Sequence, residues 1–367
     1  MSKSYELFIG PNHPGVPGNF SLHLELEGDT IVSAKGDPGY LHRAFEKGME
    51  NRLYLQNLAL IPRICVPEPD INEAAYAMAV EDLMGVEIPE RAKYIRTIVL
   101  EAARVTAYLL WMSGYAGSLG NFTLYQWCVG DRDYMIDMFA ALTGARIYHM
   151  YIIPGGVRRD LPAGWEDEIL SYVKYMRDKL EDYDNLFFKN ALFAHRARGV
   201  AKITQEQALD LGATGPVLKA TGIPQDVRKD DPYAAYPELN FEVPVMKEGD
   251  SWARAIVRRM EIDNSLSLIE QAVKKIPKKG PVWEKMPNPL KWNVPEGEVY
   301  AKVESARGEH GFYMVSDGTG KPYRVAVRGA SYSHMFAIAE KLLVGARLAD
   351  ASHILLSLDI CPPEIDR

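Results

Sequence analysis

Cysteine is scarce in this chain: Cys65, Cys128 and Cys361 are the only three among 367 residues. A tetranuclear iron–sulfur cluster takes about four thiolates, so the chain is not expected to hold one by itself. Three widely spaced thiols also make no disulfide framework, which points to a reducing compartment. Long apolar runs are missing too. The best one, Ile98 to Met112, is broken by Glu101 and Arg104, short of the about 18 to 20 residues a membrane span takes. Met1 to Glu6 has no apolar stretch of the signal-peptide kind. No run of Lys and Arg with interleaved aromatics forms a basic face, and the formal charge of -7 is spread along the chain, which disfavours nucleic acid as a partner. There is neither an internal repeat nor a low-complexity tract. The expectation is a soluble cytoplasmic chain, held to a membrane only through partners.

What is present is an ordinary globular composition, 47% hydrophobic and 25% charged, sufficient for a large core. Tyr5 to Ile9, Ser21 to Leu26 and Thr30 to Lys35 are short and β-rich, punctuated by Gly and Pro, and predict a small antiparallel sheet. The period then changes. Ile71–Met84, Ala92–Tyr115, Leu119–Leu142, Trp165–Asn190 and Gly249–Val273 carry apolar residues at three- and four-residue spacing and predict a helical bundle. Thr221 to Glu248, rich in Pro and Asp, reads as an excursion from it. Strands return at Gly297–Glu304, Gly311–Ser316 and Tyr323–Arg328, followed by helical segments at Ser333–Lys341 and Arg347–Ser357. The fold class is therefore α+β, a central long-helix bundle with small antiparallel sheets at the N- and C-terminal ends. The expected organisation is one integrated domain: a small β/α region over 1–60, the bundle over 61–280 and a C-terminal α/β region over 281–367 closing on the N-terminal part.

Two stretches carry chemistry. Cys65-Val66-Pro67-Glu68 and Cys361-Pro362-Pro363-Glu364 share one form, a thiol, two spacers and a carboxylate, almost three hundred residues apart. Taken singly, each cysteine reads as a small buried hydrophobe. The pairing of motifs favours a functional reading.

With these motifs the order of other segments resembles a known family. They are Gly10-Pro11-Asn12-His13-Pro14, Gly39 to Lys47, Ala75 to Glu81, Arg91 to Arg96, Gly144-Ala145-Arg146, Ile153 to Arg159, Ser357-Leu358-Asp359 and Asp366-Arg367. The family is the large subunit shared by membrane-bound energy-converting nickel–iron hydrogenases and the quinone-site subunit of respiratory complex I. In its hydrogenase branch both motifs read Cys-x-x-Cys, the first cysteine of each binding nickel terminally and the second bridging nickel to iron. Here both bridging cysteines are glutamates. A carboxylate is a hard oxygen donor and does not replace a thiolate bridging two soft metals, so no dinuclear centre is expected. In the complex I branch a loop histidine and a tyrosine hold the quinone headgroup; by spacing those positions fall at Pro17 and Val66, neither of which donates a side-chain hydrogen bond. Both losses resemble a third branch, the archaeal sulfane-sulfur-reducing relatives of the energy-converting hydrogenases.

That resemblance implies an oxidoreductase subunit that binds no cofactor itself and forms one wall of a reaction cavity. A small iron–sulfur subunit with the proximal cluster, further peripheral-arm subunits, and antiporter-like and quinone-site-like membrane subunits would be its partners, at the cytoplasmic face of the membrane. The electron acceptor would be polysulfide or similar sulfane sulfur, with ion transport coupled to its reduction. Cleaving a sulfur–sulfur bond with two electrons leaves sulfide anions that need protons and nearby positive charge. Glu46, Glu68, Glu364 and His13 are the candidate proton carriers, with mutual repulsion raising a carboxyl pKa. Cys65 and Cys361 are candidate nucleophiles, ranked below cluster chemistry because nearby carboxylates hold a thiol protonated. Arg63, His42, Arg43 and Arg328 are the candidate substrate-binding residues. For His42 and Arg43 the alternative is loop fastening, for Arg63 an ion pair with Glu68, and for Arg328 a strand-end surface charge. Cys65, Glu68, Cys361 and Glu364 also make a conceivable Cys2Glu2 site for one divalent ion such as zinc, the alternative being an empty polar pocket. The competing functional readings are a quinone-reducing subunit of the complex I type and a non-catalytic scaffold between redox and membrane arms.

Overall fold

A computed structural model describes residues 4–367. Ser21–Glu27 is buried at alternate positions, the mark of a strand with one face on a core. It lies between Ser4–Ile9 and Thr30–Asp37 in an antiparallel meander, Leu24 opposite both Leu7 and Ala34. A second meander near the C-terminus joins Gly297–Ser305, Gly308–Ser316 and Pro322–Arg328. Its first two strands are linked by the two residues Ala306 and Arg307. The strand expected from Gly311 starts three residues earlier because the segment from Gly308 stays paired, Glu309 opposite Glu304 and His310 opposite Val303.

The bundle is built from Pro69–Met84, Glu90–Ser118, Phe122–Thr143, Trp165–Tyr183 and Ser251–Lys275. Gly85 and Gly144, both left-handed, terminate the first and third, as glycine at that position commonly does. Asn121 and Asp250 cap helix starts through their side chains. Glu90–Ser118 is about 44 Å long and buried along nearly its whole length, with Glu101 and Arg104 fully inside. Among the described residues no helix is long and apolar enough to cross a membrane.

Two expected helices are interrupted. Trp165–Asn190 is a helix to Tyr183, then a wider π-type turn over Asp184–Phe188, with a further helix at Ala191–Ala197. Ser333–Lys341 also contains a π-type turn, His334–Ala339. The main core unites the bundle with the C-terminal sheet. A second core packs the N-terminal strands, through Phe20, Leu22 and Ile31, against Met335, Ile338, Ile354 and Leu358. The two ends of the chain thus meet, and that meeting sets Cys65 beside Cys361.

Several of the segments that carried the resemblance fasten this scaffold. Arg96, buried, donates to Glu81 at 3.0 Å and to the carbonyls of Ile153 and Gly156, while Glu81 also accepts from the Gly155 N–H at 2.7 Å. A Cβ at Gly156 would lie 2.2 Å from the Val282 carbonyl oxygen, at a φ of +147°, so only glycine fits.

Candidate functional site

Both motifs sit where a loop enters a proline-stiffened helical turn. Cys65 follows the short turn Ile61–Arg63, and Glu68 immediately precedes Pro69–Met84. Cys361 immediately precedes Pro362–Ile365, which contains Glu364. Proline at the first helical positions fixes φ without sacrificing an internal hydrogen bond. The two thiols are buried, each 4% exposed, and the Cys361 Sγ–H points at Cys65 Sγ across 3.7 Å. Glu364 joins them, one ligand atom from each of the three lying within 4.8 Å of the others. Its carboxylate accepts from the Ser331 N–H at 3.1 Å, and Ser331 Oγ accepts from the Cys361 N–H at 3.1 Å. A Cβ on Gly329 would lie 2.0 Å from Glu364 Oε1, so the backbone there must be bare for the carboxylate to fit.

Glu68 faces another way. Both its oxygens accept from the Ala306 N–H at 3.0 Å, and Arg307 Nη1 donates to it at 3.3 Å. Arg307 is the residue the motifs did not reveal. Its buried guanidinium also lies 3.6 Å from Cys65 Sγ through Nη1, donates to the Asp359 carbonyl through Nε at 3.1 Å, and meets the Asp359 carboxylate at 3.3 Å through Nη2. Asp359 ends the Ala351–Leu358 helix in a left-handed conformation, φ +57°, a strained choice for a non-glycine residue that presents it to Arg307. The expected Cys2Glu2 quartet is therefore corrected: the cluster is Cys65, Cys361 and Glu364, and Glu68 is held by an arginine. A permanent cation against a thiol and two carboxylates opposes a second cation at the same point. The residues do not fit a nickel–iron centre, which needs four thiolates.

Burial dominates the electrostatics. It pushes the Glu68 carboxyl up to about 7 against the pull of Arg307 and Arg104. Glu364 is likewise raised by burial, with Arg307 and Ser331 pulling it back. Cys65 is held well above the ordinary thiol value, first by the hydrogen bond with Cys361 and then by burial. The neighbouring thiol, more than the glutamates, keeps Cys65 protonated. Burial alone would lower the Arg307 pKa, but Asp359, the two cysteines and Glu68 reverse that.

Glu68 makes stability pH-dependent in a defined window. Between about pH 4.5 and 7 the folded chain keeps a proton on Glu68 that the unfolded chain has released, so stability falls as pH rises, by up to about 1.4 kcal/mol per pH unit. Glu68→Gln is expected to flatten the part of the unfolding free energy that falls across this window, measured by denaturant titration at several pH values. An unchanged slope would refute the raised carboxyl.

Cys361 borders a cavity of about 500 Å³, lined also by Pro17, Val66, Trp111, Arg307 and Asp359 among others, with Cys65 behind it. Gly18 approaches so closely that a Cβ there would lie 2.7 Å from Pro362 Cγ, which closes the N-terminal loop over the second motif. Pro17 and Val66, where the complex I branch would have its histidine and tyrosine, both face this space.

The other expected site residues are distributed differently. Arg43 lines the cavity, its guanidinium 4.6 Å over the Phe45 ring and its Nη2 donating to the Arg63 carbonyl at 2.8 Å. Arg63 donates to the Ala59 carbonyl and stacks over Tyr148 at 4.9 Å, and the pairing with Glu68 that was the alternative for it is made by Arg307. Glu46 is corrected as a neighbour of Glu68. It borders a separate pocket of about 350 Å³ and is occupied by Arg324 at 3.1 Å, Arg367 at 2.8 Å and the Val327 N–H at 2.9 Å. His42 Nδ1 lies 2.6 Å from the Asp366 carbonyl, and Asp366 accepts from the Gly39 and Leu41 N–H groups, so this histidine latches the C-terminus to the loop. His13 accepts from the Gly15 N–H at 3.0 Å and borders a third cavity beside Leu348–Leu355, away from the thiols. Arg328 donates to the Glu309 carbonyl at a strand end, the surface alternative. Sequence reasoning also missed a second buried polar group: Asp70 bonds His149 at 2.9 Å, and Glu73 accepts from the Met150, Tyr151 and Ile152 N–H groups. Burial, then Asp70, pushes Glu73 up to about 8.

Set against known proteins, residues 118–292 and 284–367 match the family described as respiratory-chain NADH dehydrogenase, 49 Kd subunit. An NADH-quinone oxidoreductase subunit of Thermosipho melanesiensis is 51% identical over 99% of both chains. An F(420)H(2) dehydrogenase subunit of Methanosarcina mazei is 40% identical, covering all of this chain and 99% of that one. A chain in the solved structure of the membrane-bound sulfane sulfur reductase, an archaeal respiratory membrane complex, superposes with a TM-score of 0.97 at 51% identity, over 99% of this chain and 98% of that one.

Proposed function

The chain belongs to the family of the 49 kDa subunit of respiratory-chain NADH dehydrogenase, and on that premise we propose that it is the cavity-forming subunit of a membrane respiratory complex that reduces sulfane sulfur. The observation that carries the reading is the composition of one cavity. Pro17 and Val66 replace the quinone-holding pair, while Cys361, Arg307 and Asp359 line the same space. The 51% identity and TM-score of 0.97 to a chain of the sulfane sulfur reductase complex support it.

An iron–sulfur cluster of a partner subunit supplies the electrons. This chain binds and protonates. Arg307 and Arg43 give the cavity positive charge, which suits an anionic sulfur chain and the sulfide that departs. Glu68, with its pKa near 7, holds or releases a proton at working pH, and Glu364, also raised, sits against both thiols. The apolar walls, Pro17, Val66, Trp111 and Leu356, limit water and strengthen these interactions. Partners in this reading are a small iron–sulfur subunit, other peripheral-arm subunits and ion-translocating membrane subunits at the cytoplasmic face. The relatives named for NADH-quinone and F(420)H(2) oxidoreduction favour a second reading, quinone reduction in a pocket shifted from the usual place.

The test is acceptor choice by the assembled complex under a low-potential donor. Sulfide release from polysulfide is expected, with neither hydrogen evolution nor quinol formation, and with no nickel by elemental analysis. Quinol formation without sulfide release would install the second reading, and one nickel per complex would overturn both.

A further inference from the structure

Two buried thiols in mutual contact are more than a remnant of lost ligation when one borders a substrate-sized cavity and the other stands behind it. Cys361 lines the cavity of about 500 Å³, whereas Cys65 meets it through Cys361, 3.7 Å away. Around the pair are one guanidinium, 3.6 Å from Cys65 Sγ, and one carboxyl, Glu364, within 4.8 Å of both sulfurs. An arginine stabilises a thiolate, and a buried carboxyl beside a thiol passes a proton. The third cysteine, Cys128, is buried in the bundle with Leu124 and Met135, where its polar neighbours are Tyr183 and Asp131 rather than a guanidinium and a second thiol.

We propose that Cys361 and Cys65 act in sequence as a sulfur-accepting nucleophile and a resolving thiol. This rests on the sulfane-sulfur reading above and assigns to this chain the bond-breaking step that the reading otherwise leaves to the partner's cluster. In the first step the Cys361 sulfur attacks the terminal sulfur of an inorganic polysulfide. A bond forms between Cys361 Sγ and that sulfur, the adjoining sulfur–sulfur bond breaks, and the chain leaves one atom shorter. The thiol proton stays on the new persulfide, so tetrasulfide becomes trisulfide. In the second step Cys65 attacks Cys361 Sγ, forming the Cys65–Cys361 disulfide and expelling the terminal sulfur as hydrogen sulfide, which carries away the Cys65 and persulfide protons. Two electrons from the partner's iron–sulfur cluster and two protons from the cavity then restore both thiols. The sum is tetrasulfide plus two electrons and two protons giving trisulfide and one hydrogen sulfide. Attack along the Sγ–Sγ line needs only the approach of two sulfurs already in contact. Arg307, fixed by Asp359, stands beside the resolving thiol, where a thiolate must develop.

Trapping without an electron donor tests this. The as-isolated complex is mixed with inorganic tetrasulfide, quenched in acid, alkylated and mapped by mass spectrometry. Wild type is expected to release about one hydrogen sulfide per complex and to yield a linked Cys65–Cys361 peptide, with Cys128 alkylated as a free thiol. Cys65→Ser should hold one extra sulfur on Cys361 and release no sulfide in that single round; Cys361→Ser should show neither product. Free, unmodified Cys65 and Cys361 in wild type after exposure would overturn the proposal, and that measurement needs no variant to assemble. So would full donor-driven polysulfide turnover in the assembled double serine variant, which would leave the sulfane-sulfur reading standing and return the chemistry to the cluster. An absence of polysulfide turnover in wild type under a donor would instead refute the reading beneath it.

Discussion

Arg307→Met is expected to lower polysulfide turnover of the assembled complex by about a hundredfold or more, the scale seen when a buried charged donor is removed from a developing anion. The side chain touches three acidic elements of the site: Cys65 at 3.6 Å, Glu68 at 3.3 Å and Asp359 at 3.3 Å. Without it, Asp359 loses its ion-pair partner and keeps only the more distant charge of Arg258, while its Oδ2 already has no hydrogen-bond partner among the described residues. Breaking a buried pair in this way costs about 3 to 5 kcal/mol. Stability and turnover therefore fall together, and a second substitution separates them. Arg307→Lys keeps the charge but cannot span Glu68 and Asp359 with a fork. It should melt close to wild type while turning over more slowly, since Glu68 and Asp359 lose their common clamp. Steady-state polysulfide kinetics and thermal unfolding measure both. Wild-type turnover in Arg307→Met would remove Arg307 from the chemistry.

How Arg307 escaped notice shows what a sequence conveys. Cys65 with Glu68 and Cys361 with Glu364 are local patterns, and a three-residue spacing at a helix start survives as a readable signature. The α+β architecture was readable for the same reason, because periods of two and of three to four residues follow directly from strand and helix geometry. Arg307 lies 242 positions from Cys65, in a two-residue turn whose sequence shows only that a strand reverses. Only the pairing of Ser305 with Gly308 and the entry of the hairpin into the core aim it at the thiols. Glu46 is the opposite case. Its local segment was informative, but its partners Arg324 and Arg367 come from the far end of the chain. Family motifs such as Glu81 with Arg96 proved to hold the scaffold, a role that appears once the Gly155–Gly156 backbone is seen between them. Glu101 and Arg104 were legible as breaks in an apolar run, yet what they break into was not: a buried charge network that takes Asp226 and Arg228 from the excursion expected outside the bundle, Lys219 from just before it, Glu261 from another bundle helix and Glu304 from the C-terminal sheet.

That network yields the other large effect: Lys219→Met is expected to lower the thermal stability of the folded chain sharply. Lys219 Nζ donates to Asp226 at 2.7 Å, Glu261 at 2.8 Å and Glu304 at 3.1 Å, all fully buried or nearly so. Arg228 bonds Asp226, Glu261 and Glu101, and Arg104 lies 3.4 Å from Glu101. Three cations face four carboxyls, and the imbalance falls on Glu304, which burial and then Asp226 raise while Asp226, Glu101 and Glu261 are held low. Removing Lys219 leaves four carboxyls against two cations, at a cost of about 3 to 5 kcal/mol or more, a large share of the about 5 to 15 kcal/mol that holds a typical domain folded. If the raised carboxyl identifies the excess charge, adding Glu304→Gln should recover part of the loss, read as a favourable coupling in a double-mutant cycle of thermal unfolding. The effect also reaches the cavity. Glu304 Oε2 accepts from the Val227 N–H and its carbonyl accepts from Arg104, two residues before the Ala306 N–H that holds Glu68 and three before Arg307. The double variant should therefore regain stability ahead of turnover, because glutamine restores the charge balance without Lys219 anchoring the strand that carries the turn. Wild-type melting of Lys219→Met would contradict the buried network as the support of this site.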